Sequence, residues 1–84
     1  MTNPKLPYSA DYRHLGHALA LLRRKSGLTQ VQAAERASIR PNFLSDVERG
    51  RRGIRWHNLV VLVRDVYASS LSELTRIIEA EEGN

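Results

Sequence analysis

The stretch from Gly27 to Gly50, GLTQVQAAERASIRPNFLSDVERG, decides the fold. Thr29 carries a hydroxyl that can accept from the first turn of a helix, and Gln32, three residues on, has capping-box spacing. Gln30 to Ala37 is therefore predicted helical. Ala33, Ala34 and Ala37 lie on this short helix, where small side chains let a neighbouring helix cross closely. Ser38 to Arg40 interrupts the pattern. Pro41 suits the first position of a second helix, because its missing N–H would be unpaired there anyway, and that helix is predicted to reach about Arg49. Leu44 and Val47 face inward at i and i+3, and Asn42, Ser45, Asp46 and Arg49 fall largely on other faces. Gly50 stops the helix.

Upstream, Leu15, Ala18, Leu19 and Leu22 recur at three- and four-residue intervals and predict a first helix over Asp11 to Lys25. Arg23, Arg24 and Lys25 complement its C-terminal dipole, and Gly27 ends it. Met1 to Ser9, with Pro4, Lys5 and Pro7, reads as a flexible arm, residues 1–9, ahead of a domain spanning residues 10–79. Downstream, Gly53 lets the chain turn before Trp56. Leu59, Leu62, Val63 and Val66 then mark a helix from about Arg55 to Tyr67. The β-branched run Val60, Val61, Val63 suits a strand, but the recurrence and the alternation with Arg64 and Asp65 favour helix. Ser70 with Glu73 has capping-box spacing, and Leu71, Leu74, Ile77 and Ile78 supply a fifth apolar stripe. Residues 80–84 read as an acidic, frayed tail.

The chain of 84 residues suffices for one compact domain and excludes a multidomain enzyme. It has no Cys, so disulfides, thiolate chemistry and cysteine zinc sites are absent. No apolar run approaches a membrane span and no secretory h-region opens the chain, so a cytoplasmic protein is expected. Charge is polarised: residues 1–55 hold 11 basic and 4 acidic side chains, a net +7, and residues 56–84 hold 2 and 5, a net −3. That polarity favours an anionic partner for the first part, nucleic acid foremost.

The two short helices have the form of a helix-turn-helix unit. Its second helix is polar, and Arg49, Arg51, Arg52 and Arg55 follow around Gly50 and Gly53, where the main chain can approach a phosphate. A nucleic-acid surface follows; a solvated loop is the plain alternative. Asn42 can pair with adenine through two hydrogen bonds, and Arg40 can reach guanine or a flanking phosphate. Asp46 can accept from a cytosine amino group or hold Arg49 or Arg40 in place. His14 and His17 have metal-compatible spacing, but no carboxylate or thiol completes a site, so no metal or other cofactor is expected. A triad of Ser45, His57 and Asp46 fails because adjacent helical side chains point about 100 degrees apart and no oxyanion pocket is evident. The protein is read as a non-enzyme.

The residues Gly27-Leu28-Thr29-Gln30, Ala34, Ile39, Phe43-Leu44-Ser45 and Val47-Glu48-Arg49-Gly50 resemble the signature of the phage repressor and Cro type of helix-turn-helix regulator, the xenobiotic-response-element family. The resemblance covers about Leu15 to Ile78. It implies an all-α, five-helix, lambda-repressor-like domain that binds double-stranded operator DNA with an inverted repeat as a homodimer. Family members of this size include phage repressors, restriction-modification controllers and antitoxins. An antitoxin-type interaction module that also represses its operon is the alternative function. RNA polymerase is a further partner the resemblance allows, through exclusion or contact. It also implies that Gln30 contacts phosphate and can brace the recognition helix, that Arg40, Pro41, Asn42, Ser45 and Asp46 face the major groove or its rim, and that Glu48 bridges to Arg23.

The chain departs from that pattern in several places. Ser38 stands where the family has a turn glycine, and Arg40 replaces the Ser or Thr cap. Ala33 is smaller than customary, leaving Val31, Trp56 or Phe43 to fill the space. Arg52-Gly53-Ile54 resembles the Arg-Asn-Ile variant of restriction controllers. Tyr67 to Leu71 is one residue longer than the usual linker. Leu74 and Ile78, with Tyr67 as an aromatic edge, are the expected dimer-interface residues; completion of the monomer core is the alternative for the fifth stripe.

Overall fold

The structure, a computed structural model, describes residues 8–82 and the side chains of residues 12–81. Five helices follow in chain order: α1 (Tyr8–Lys25), α2 (Gln30–Ala37), α3 (Pro41–Glu48), α4 (Trp56–Val60, continuing as a π-helical segment Val61–Val66) and α5 (Leu71–Glu82). The all-α class and all five helices agree with the sequence reading. Of the expected N-terminal arm, Tyr8 and Ser9 open α1 and residues 1–7 lie outside the described residues. α5 continues to Glu82, and residues 83–84 lie outside the described residues. Among the described residues no helix is long and apolar enough to cross a membrane.

α2 starts where its chemistry demands. The Thr29 hydroxyl accepts from the Gln32 amide at 3.1 Å, and the Gln32 side chain accepts from the Thr29 amide at 3.0 Å. Its end is a paired-carbonyl stop: the Ser38 amide donates to Glu35 at 3.2 Å and the Ile39 amide to Ala34 at 2.9 Å. Ser38 adopts φ 58°, ψ 40° to make these bonds, the left-handed conformation that glycine takes most easily. α3 begins after Arg40, whose extended backbone leads into Pro41 but whose side chain caps nothing.

The core gathers Ala18, Leu19 and Leu22 of α1, the three α2 alanines, Leu44 and Val47 of α3, Leu62, Val63 and Tyr67 beyond α4, and Leu74 of α5. α1 packs on α3 and α5, and α2 on α3 and the π-helical segment. The α1–α3 crossing is close enough that a side chain at Gly16 would strike the Val47 and Glu48 carbonyl oxygens. Two of the three side chains expected to compensate for Ala33 do not: Val31 is 60% and Trp56 66% exposed. Phe43 is half-buried and packs on the core.

The residue in excess of the usual linker is absorbed inside the fourth helix. The Tyr67 amide donates to Leu62 at 2.8 Å, five residues back, and the Ser69 amide reaches Val63 at 2.8 Å. One extra residue per turn is what defines a π-helical bulge. Ala68 then turns the chain at φ 52°.

Candidate nucleic-acid interface

α3 is anchored at its C-terminal end by a carboxylate that serves three helices. Glu48 accepts from Arg23 Nε at 2.8 Å, from Arg23 Nη2 at 3.0 Å and from Gln30 Nε2 at 2.7 Å. Arg23 Nη1 also donates to the Leu28 carbonyl at 2.9 Å, so the guanidinium joins the α1–α2 turn to α3. Its hydrogen bond to Glu48 holds the Arg23 pKa above the ordinary arginine range. The two side chains are only 11% and 5% exposed, and a two-pronged pair in that setting fixes position as well as charge. The expected Arg23–Glu48 bridge is thus present, and the Gln30 side chain braces the same carboxylate.

With Leu44 and Val47 buried, the opposite side of α3 is presented outward. Arg40, Pro41 and Asn42 are exposed, and Ser45 and Asp46 are half-buried. Asp46 makes no ion pair with Arg40 or Arg49, so the restraining role open to it in the sequence is not used. Its backbone carbonyl instead accepts from the Arg51 amide at 2.9 Å and starts the loop that follows.

That loop is seated on α1 through its glycines. A Cβ at Gly50, which has φ 76°, would lie 2.6 Å from Arg13 Cγ and 2.8 Å from its Cα; one at Gly53 would lie 2.9 Å from the Tyr12 ring. Both glycines therefore let the loop lie flat against α1, and the arginines between them point away. Arg49, Arg51, Arg52 and Arg55 are all exposed and form no ion pair among the described residues. The Arg52 guanidinium stacks over the Phe43 ring at 5.1 Å, tying the loop to α3. Ile39 and Phe43 form the apolar lining of a cleft of about 420 Å³, with Arg40, Arg52, Arg55 and Asn58 around it. Cations and donors on a continuous concave surface suit a sugar-phosphate strand beside a reading helix.

Tyr12, Phe43 and Asn58 are contributors the sequence reading did not assign to this surface. Their roles rest on contacts between distant positions, and neither periodicity nor composition carries such a signal. Other expectations are redistributed. Tyr67 and Leu74 are 6% and 2% exposed, filling the interior instead of forming an edge; of the three expected interface residues only Ile78 remains half-buried. Tyr67 turns inward at the end of the π-helical segment, which shifts the helix phase by one residue, and Leu74 joins the core from α5. His17 lies beside Glu81, Nδ1 to carboxylate 3.3 Å. No group of three or more His, Asp or Glu side chains among the described residues is placed to hold a metal ion.

A family described as Helix-turn-helix domain matches residues 14–77. Among solved structures, two crystal structures of the clp gene regulator ClgR from Corynebacterium glutamicum superpose with TM-scores of 0.80 and 0.78, at 25% and 26% identity. They cover 84% and 83% of this chain and 74% and 88% of theirs. The restriction-modification controller protein C.AhdI from Aeromonas hydrophila superposes with a TM-score of 0.72 at 29% identity, over 77% of this chain and 97% of its own. No curated protein matches the sequence.

Proposed function

The chain belongs to the helix-turn-helix domain family, and from that membership we propose that it is a transcriptional regulator that reads an inverted-repeat operator as a homodimer. The observation that carries the proposal is the outward polar face of α3, set between Arg40 and an arginine loop pinned to α1. In the complex, Asn42, Ser45 and Asp46 read base edges, with Arg40 on a base or a flanking phosphate. Arg49, Arg51, Arg52 and Arg55 fix the phosphates on either side. Gln30 supports α3 through Glu48 and lies at the phosphate rim.

Two copies are needed on physical grounds. An eight-residue helix is about 12 Å long and reaches only a few base pairs, too few to single out one site among many. A second copy related by a two-fold axis places an identical helix one duplex turn away, about 34 Å, and doubles the read sequence. Ile78 on α5 is the interface residue we retain. Likeness to a restriction-modification controller, together with Arg52-Gly53-Ile54, supports control of restriction-modification genes as the specific role. Occupancy alone then alters transcription, by excluding RNA polymerase or, from an upstream site, by offering it a contact.

The test is selection of bound fragments from genomic DNA, followed by footprinting at a stated salt concentration. The expected result is protection of two symmetry-related half-sites one duplex turn apart. Absence of duplex association at low ionic strength would overturn the reading.

A further inference from the structure

A second cleft, of about 540 Å³, lies between α1, the C-terminal end of α3 and the last turn of α5, and of its lining only Arg49 is among the proposed phosphate contacts. Arg13, His17 and Arg24, with Ala20 between them, line it at positions i, i+4 and i+11 of α1, a single stripe of one helix. Arg49 closes the stripe from the α3 side, and Glu48 and Glu81 complete the charged lining. The carboxylates do not neutralise it. Glu48 is already shared by Arg23 and Gln30, and Glu81 pairs with His17. Arg13, Arg24 and Arg49 keep no carboxylate partner among the described residues.

Three guanidinium groups facing one concave volume concentrate positive potential there, and low-dielectric walls focus it. The volume is within the usual range for small-molecule pockets, about 300–1,000 Å³. Ala20, 5% exposed, gives the wall a small side chain and leaves space over the helix. The Glu81 carboxylate, brought in by α5, lines the same cleft 3.3 Å from His17 Nδ1, so an entering anion meets a like charge there. Guanidinium forks match the paired oxygens of carboxylate and phosphate, and of these a diphosphate brings the greater negative charge to three cations.

We propose that this cleft is a binding site for a soluble polyphosphate group, such as the diphosphate of a nucleotide, which competes with Glu81 for the cationic wall. Because Arg49 ends α3 and Glu81 ends α5, an occupant ties the recognition helix to the last helix and gives the regulator a ligand input. The site forms without DNA and shares Arg49 alone with the proposed phosphate contacts, so its occupancy is read on the chain without a duplex.

Inorganic pyrophosphate is the probe, titrated into the full chain without DNA and followed by amide and arginine side-chain NMR shifts, with chloride matching the ionic strength. Saturable shifts confined to residues around Arg13, Arg24 and Arg49 are expected. Arg24→Gln should weaken binding about tenfold, the loss of one charge-assisted contact, with operator affinity unchanged. Glu81→Gln should tighten binding several-fold by removing the competing carboxylate. Non-saturable shifts, or Glu81→Gln weakening the binding, would overturn the proposal. So would a result in which pyrophosphate has no effect and Arg24→Gln lowers affinity only for duplexes with long flanks, which assigns the cleft to the DNA backbone and leaves the operator reading standing.

Discussion

Glu48 concentrates three donors from α1 and α2 onto the end of α3, so its charge is a positional constraint before it is an energy term. Glu48→Gln leaves the Arg23 guanidinium, 11% exposed, without a counter-charge. We expect a stability loss of about 3 kcal/mol, the lower end of the range for breaking a buried pair, read by urea unfolding. Ser38 carries strain of the opposite kind. Its φ of 58° is tolerated because two backbone hydrogen bonds close around it, and Ser38→Gly should raise stability by about 1 kcal/mol. Thermal unfolding that moves downward would show that the Ser38 side chain stabilises the turn. Tyr67 is nearly enclosed, its hydroxyl has no hydrogen-bond partner among the described residues, and burial, reinforced by the Glu48 charge, pushes its phenol pKa well up. A folded-state pKa above the unfolded one contributes stability that is present at neutral pH and is lost as pH rises past the unfolded value of about 10. The chain should therefore lose stability above that pH more steeply than Tyr67→Phe, which should be at least as stable at pH 7. Identical alkaline profiles would place the phenol in contact with water. The Arg23 partner of Glu48, 25 positions away, was legible only through the family resemblance, whereas the position of Tyr67 was not. An apolar stripe says that a face is covered and leaves open by what.

At the scale of elements, the capping boxes, the proline start and the apolar recurrences were sufficient to place all five helices, because each is a local effect of backbone amides and side chains a few residues apart. The π-helical segment is visible in the sequence only as a linker one residue too long. Whether that residue lengthens a loop or swells a helix depends on which arrangement buries Leu62, Val63 and Tyr67 together, a question of packing. The arginine loop makes the same point for the site. Its charge was plain from Arg49, Arg51, Arg52 and Arg55, but its seating on Tyr12 and Arg13 depends on residues about 40 positions away. Gly53→Ala tests that seating. The new methyl would lie 2.9 Å from Cζ and the hydroxyl of Tyr12, which is tighter than contact allows, so the Tyr12 ring must swing aside or the loop lift from α1, and α3 keeps its core anchors. Affinity for scrambled and operator duplexes should fall together in a gel-shift assay, with helical content unchanged. A loss confined to the operator would mean that the loop reads bases.

For the molecule as a whole, the decisive property is the division of labour between a net +7 over residues 1–55 and a net −3 over residues 56–84. The basic part holds α1 to α3 and the loop, which carries the exposed arginines proposed to meet the duplex, and most of the acidic residues of the second part lie in α5. Binding by such a surface is driven largely by counterion release, and log affinity falls linearly with log salt by about 0.9 for each phosphate neutralised. In the proposed complex Arg51, exposed and without an ion pair among the described residues, contributes to that slope and to little else. In the same proposed complex Asn42, exposed on α3, contributes to base choice and leaves the slope alone. The two substitutions should therefore separate cleanly. Arg51→Ala should weaken specific and scrambled duplexes alike and reduce the slope by about 0.9 per subunit. Asn42→Ala should cost about 1–3 kcal/mol on the operator only, at an unchanged slope. Affinity measured across a salt series on both duplexes decides it: an Asn42→Ala variant that retains full operator preference removes Asn42 from the reading set, and an Arg51→Ala variant with an unaltered slope removes the loop from the phosphate contacts.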